Sequence, residues 1–139
     1  VVAIIIGTHG NFSEELVKSS EMIFGQQENV GYVTFKPGEG SDDLMDKYTK
    51  LLNKLDTEDG VLFLVDLFGG SPFNAASRIA IGKENMDIIT GVNLPMLLEV
   101  YGSRSFSNLQ ELVNIAKNSG VESIKAFKEI MNSQEEDDL

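Results

Sequence analysis

The sequence predicts an α/β fold, doubly wound, with helices on both faces of a mainly parallel sheet. Three observations lead there. Residues 1–6 and 61–65 are apolar at every position, as strands covered on both faces must be. Segments with helical periodicity fall between such runs, so strand and helix alternate along the chain. Glycine-rich stretches punctuate nearly every junction. If the strand order is 2-1-3-4, the first and third strands are neighbours and the switch point lies between their carboxyl ends.

The elements follow in order. The first strand ends at Gly7 and delivers the only histidine, His9, into the loop Gly7-Thr8-His9-Gly10. Ser13 is a candidate N-cap for a helix with Glu14 and Glu15 in its first turn, where acidic groups suit the helix dipole. Leu16, Val17, Ile23 and Phe24 are expected on its inner face, and Gly25 stops it. Residues 30–35 form the second strand, closed by Lys36-Pro37-Gly38-Glu39-Gly40. Ser41 is expected to cap the next helix. There Leu44, Met45, Tyr48, Leu51, Leu52 and Leu55 make one apolar stripe, with Met45 and Tyr48 taken as core.

The third strand ends in Asp66, followed by Leu67-Phe68-Gly69-Gly70 and then Ser71-Pro72, the pattern of an N-cap with proline at the first helical position. That helix carries Phe73, Ala75, Ala76, Ile79 and Ala80 towards Gly82. Residues 86–90 are the fourth strand, and Gly91-Val92-Asn93-Leu94-Pro95 leads into a short helix of Met96, Leu97, Leu98 and Val100. Ser107 with Gln110 makes a capping box for a further helix, halted near Gly120. Residues 121–131 fit either a helical stripe or an antiparallel edge strand around residues 124–127. The domain is expected to span residues 1–131, with residues 132–139 as a solvated acidic tail.

Composition limits the function. The 139 residues suit one domain, and the formal charge of −11 argues against nucleic-acid and anionic-membrane partners while favouring basic proteins. Zero cysteines remove disulfides, thiolate nucleophiles and Cys-type metal sites. No apolar run approaches the ~18 residues that would span a bilayer, and no secretory leader precedes the first strand, so the expected location is cytoplasmic. No Walker-type Gly-Lys-Ser/Thr and no carboxylate cluster for magnesium is present, so neither metal nor cofactor is expected.

With the expected strand order, His9 and Asp66 meet at the switch point, and the helix beginning near Ser71 aims its N-terminus at the same crevice. A carboxylate on one ring nitrogen fixes the tautomer and leaves the other nitrogen's lone pair outward for attack. The amides of Gly69, Gly70 and Ser71, with the Ser71 hydroxyl, can hold phosphoryl oxygens. The blander roles stand beside these: a structural histidine, a strand-end carboxylate capping a loop, a serine serving only as cap. The only arginines are Arg78 and Arg104. A histidine phosphatase or mutase would want arginines around its histidine. A receiver phosphorylated on Asp66 would need an acidic pair where this chain has Thr8-His9. A non-catalytic ligand-binding module stays open.

Three stretches together, Gly7-Thr8-His9-Gly10, Val65-Asp66-Leu67-Phe68-Gly69-Gly70-Ser71-Pro72-Phe73-Asn74 and Gly91-Val92-Asn93-Leu94-Pro95-Met96, resemble the IIA component of the mannose-family sugar phosphotransferase system (PTS) over nearly the whole chain. The resemblance implies a phosphotransferase working through a phosphohistidine. His9 would carry the phosphate on Nε2, with Asp66 bonded to Nδ1 and Ser71 near the phosphate. It implies HPr as donor, a IIB component as acceptor, and a mannose-type sugar entering through membrane components IIC and IID. It further implies a homodimer, with a C-terminal edge strand exchanged between subunits, and here a stand-alone IIA. Phe12, Phe35, Pro37, Phe68 and Phe73 are candidates for an apolar docking rim around His9, or for ordinary core and loop packing. A related alternative is the IIA-like phosphoryl donor of a dihydroxyacetone kinase; the Gly-Gly-Ser-Pro stretch favours the sugar system.

Overall fold

A computed structural model describes residues 1–137 of the chain, with side-chain surroundings through residue 134. Its centre is the pair of strands β1 (Ala3–Gly7) and β3 (Val61–Val65), every residue of which is buried. They pair in parallel, with Ile5 opposite Phe63 and Gly7 opposite Val65. The edges are β2 (Val30–Val33) and β4 (Met86–Thr90), giving a four-stranded parallel sheet in the order β2-β1-β3-β4.

Alternation along each strand divides the core between the two faces. Val2, Ile4, Ile6, Leu62 and Leu64 point to one side, where they meet α1 (Phe12–Phe24), α4 (Leu94–Ser103) and α5 (Leu109–Glu122). Ala3, Ile5, Val61 and Phe63 point to the other, against α2 (Ser41–Lys54) and α3 (Ser71–Ala80). Each large aliphatic side chain fully buried here contributes about 1.5–3 kcal/mol relative to exposure. The doubly wound arrangement and strand order expected from the sequence are therefore observed.

Several local expectations are corrected. β2 stops at Val33, and Phe35 instead makes an isolated antiparallel bridge with Gly10. The caps lie elsewhere: Asn11 rather than Ser13 precedes α1, Gly40 rather than Ser41 precedes α2, and Gly70 rather than Ser71 precedes α3. Asn108 with Glu111, rather than Ser107 with Gln110, forms the capping box of α5. α5 ends at Glu122, close to the expected stop near Gly120, whose missing Cβ admits the Met96 methyl. On α1, Leu16, Val17 and Ser20 are buried while Ile23 and Phe24 are exposed, Phe24 resting against Tyr101 of α4 with centroids 6.0 Å apart.

Residues 121–131 contain no strand. After α5 the chain turns into a final helix, α6 (Phe127–Asp137), so the antiparallel edge strand is absent among the described residues and β4 is an open edge. That helix also takes up residues 132–137 of the expected acidic tail; residues 138 and 139 lie outside the described residues. No helix among the described residues is long and apolar enough to cross a membrane.

Candidate functional site

β1 and β3 run side by side and end level, so the residues just past them share one crevice. On the first side the chain leaves Gly7 and is fastened at once. Thr8 N–H donates to the Val33 carbonyl at 3.2 Å, and the main chains of Gly10 and Phe35 exchange two bonds at 2.7 and 3.3 Å. Thr8 is fully buried, and its hydroxyl accepts from Ser13 N–H at 2.6 Å while donating to the His9 carbonyl at 3.1 Å. It thereby takes the first-turn amide of α1 that an N-cap side chain would otherwise satisfy. Ser13, buried in that turn, donates its hydroxyl to the Val33 carbonyl at 2.7 Å. Thr8 and Ser13 thus fix the backbone of His9, a positioning role the sequence did not disclose.

On the second side, Asp66 Oδ2 accepts from His9 N–H at 3.1 Å and lies 2.9 Å from His9 Nδ1. A carboxylate can only accept, so the ring proton sits on Nδ1 and the Nε2 lone pair is free. Asp66 Oδ1 is buried without a hydrogen-bond partner among the described residues, which places concentrated negative charge behind the ring. The His9 side chain remains 45 % exposed and that of Asp66 19 %, so the imidazole can meet an incoming molecule while its carboxylate stays covered.

The third component is the start of α3. The His9 ring rests on Gly70: a Cβ there would stand 2.8 Å from ring Cε1 and 3.4 Å from Nε2. Gly70 N–H turns back to the Leu67 carbonyl at 3.3 Å, and Asn74 donates its side-chain amide to the Gly69 carbonyl at 3.1 Å. Gly69, with φ of +80°, makes this turn in a conformation that a side chain would strain. Pro72 has no N–H, so within the first turn the amides of Ser71 and Phe73 are left for an anion, at the positive end of the helix dipole, and the expected Gly69 amide donates to no group among the described residues. Gly70's amide, expected to join them, is engaged in the turn.

Of the candidate rim, Phe35 meets the His9 ring edge-on with centroids 5.9 Å apart. Phe68, 75 % exposed, leans on the half-buried Phe73 with centroids 4.9 Å apart, while Phe12 and Pro37 are exposed. Tyr48, expected as core, is fully buried, and burial, with the Asp66 charge as a smaller cause, pushes its phenol above the usual range. It therefore acts as a neutral donor, and its hydroxyl donates to the Pro72 carbonyl at 2.9 Å. No group of three or more metal-ligating side chains occurs among the described residues. The arrangement is chemically a nucleophilic imidazole with a carboxylate behind it and main-chain donors beside it.

A family model described as "PTS system fructose IIA component" matches residues 3–117. The PTS system mannose-specific EIIAB component of Escherichia coli K12 is 53 % identical over 128 residues, covering 91 % of this chain and 40 % of that protein. The chain thus spans about two fifths of the length of that relative. The PTS system fructose-specific EIIA component of Bacillus subtilis is 42 % identical, covering 93 % of this chain and 88 % of the relative. Among solved structures, the phosphotransferase system component EIIA from Streptococcus agalactiae superposes with a TM-score of 0.84 at 33 % identity, covering 92 % of this chain and 98 % of that one.

Proposed function

The chain belongs to the EIIA-man family of PTS fructose IIA components, and from that premise we propose that it is a phosphocarrier that accepts a phosphoryl group on His9 Nε2. The donor is phospho-HPr and the acceptor a IIB component. The observation that carries this reading is the 2.9 Å approach of Asp66 Oδ2 to His9 Nδ1 with Nε2 left facing the start of α3. As the phosphorus–nitrogen bond of the donor histidine breaks, a new one forms to His9 Nε2. The ring keeps its Nδ1 proton and becomes cationic, and the Asp66 carboxylate balances that charge. The second transfer reverses these steps, so the neutral Nδ1–H tautomer is restored. The Ser71 hydroxyl and the amides of Gly69, Ser71 and Phe73 steady the phosphoryl oxygens; Gly70 shapes the turn that presents them.

The aromatic side chains around His9 support docking of carrier proteins on this face, with Phe12, Phe35, Pro37, Phe68 and Phe73 as the contact set. The sugar is proposed to be of the mannose type, phosphorylated by IIB as it enters through IIC and IID. A homodimer is proposed as well, since β4 is an open edge and Ile124, which lines a shallow cavity with Ile89 and Thr90 of β4, is 80 % exposed, with Phe127 after it 73 % exposed. Incubation with phosphoenolpyruvate, enzyme I and HPr tests the reading: the chain should gain an acid-labile, base-stable phosphate, and His9→Ala should gain none. Label that persists in His9→Ala moves the acceptor elsewhere, with Asp66 the first suspect.

A further inference from the structure

We infer that Tyr48 is a positioning residue for the phosphoryl-accepting site, its hydroxyl setting the distance between the strand that carries His9 and the helix that carries Ser71. The inference rests on the phosphocarrier reading and adds a residue on α2, well away from the site in sequence.

The hydroxyl lies beneath the crevice, between its two halves. On one side is Gly7, two residues before His9: a Cβ there would collide with the Tyr48 hydroxyl, so the phenol occupies the space that the glycine leaves. On the other side is Pro72, next to Ser71, whose carbonyl accepts the hydroxyl proton at 2.9 Å. The ring is held edge-on against Phe63 of β3, centroids 5.3 Å apart, so the hydroxyl has a fixed origin in the core. Gly7 needs no left-handed backbone here, as its φ is not positive; close approach of the phenol is what requires it.

The bond does not serve the carbonyl, which as a helical first-turn group also receives an amide from the following turn. Nor does packing need it, because a phenylalanine would fill the same aromatic slot without burying a polar atom. What the hydroxyl adds is a tie from β1 and α2 to the first turn of α3. Without it that turn can shift relative to the imidazole, and transfer depends steeply on the distance between nucleophile, phosphorus and oxygen donors.

The test compares wild type, His9→Ala, Tyr48→Phe and Leu112→Val by rapid-quench transfer from labelled phospho-HPr, with thermal melting and the lifetime of the phosphorylated chain. Tyr48→Phe is expected to melt close to wild type, keep the KM for phospho-HPr and lose roughly three- to tenfold in kcat, with an altered phosphohistidine lifetime. Leu112→Val, which loosens the core on the opposite face of the sheet from Tyr48, should lower the melting temperature and keep kcat. A wild-type kcat and lifetime in Tyr48→Phe overturns the positioning role, and so does a packing control slowed as much as Tyr48→Phe. A wild-type chain that takes no phosphate, or an His9→Ala chain that does, overturns the phosphocarrier reading instead.

Discussion

His9 and Asp66, 57 residues apart in the chain, are joined twice through one oxygen: Asp66 Oδ2 accepts the His9 main-chain N–H at 3.1 Å and the Nδ1–H at 2.9 Å. A single carboxylate oxygen therefore fixes both the loop that carries the ring and the ring's orientation, which makes its charge and its geometry separable by substitution.

Asp66→Asn keeps the shape and removes the charge. A charge-assisted bond contributes about 1.5–3 kcal/mol, so transfer to His9 should slow about 10- to 100-fold if the cationic ring depends on it. Single-turnover quench kinetics with phospho-HPr measure this, and an unchanged rate would remove the assigned role of Asp66.

Gly70→Ala should impair transfer without unfolding the chain. Its backbone conformation, φ −75°, is ordinary for any residue, yet the new methyl would meet His9 Cε1 at 2.8 Å. The ring must tilt away from the start of α3, and displacement on this scale costs roughly tenfold or more in rate. Thermal melting should move little, and a normal rate would show that the ring's seat on Gly70 is unimportant.

Thr8→Val removes the hydroxyl that receives Ser13 N–H and holds the His9 carbonyl. A buried amide left without its acceptor costs about 1–3 kcal/mol, which a urea titration reads as a lower midpoint at unchanged slope. Wild-type stability would mean that α1 finds another cap.

These residues also mark how far sequence alone could see. The apolar runs of β1 and β3 are unambiguous because both faces of each strand are buried, so the strand order, and with it the meeting of His9 and Asp66, was legible. Caps were not. Ser107 and Asn108 each stand three residues before a side chain able to complete a box, Gln110 and Glu111 respectively, and only the backbone angles choose Asn108. Ser13 has the composition of a cap but is drawn into the first turn by Val33, a contact across the crossover. The end of the chain misled for a different reason. Residues 121–131 bury little, so neither face of the segment is set by a core, and the helical outcome, α6, leaves Ile124 and Phe127 exposed. Tyr48 was visible as core, but the acceptor of its hydroxyl belongs to another helix.

Stability should carry an acid-dependent contribution from the loop before α2. The Lys47 ammonium at 2.8 Å, and after it the Lys36 N–H, hold the Glu39 carboxyl below its usual range. A depressed folded-state pKa means the contribution is present above the ordinary carboxylate value and is lost as pH falls through the lowered one. Urea midpoints of wild type and Glu39→Gln should therefore differ at pH 7 and converge in acid; a gap that is constant with pH would refute the ion pair as its source.

The central claim is that Asp66 holds the proton on Nδ1 and leaves Nε2 to take phosphate. Nitrogen-15 and phosphorus-31 NMR of the chain after treatment with phosphoenolpyruvate, enzyme I and HPr tests it most directly. The account predicts one phosphorus–nitrogen coupling, to Nε2 of His9, with Nδ1 still protonated. Phosphate found on Nδ1, or on any residue other than His9, would contradict it.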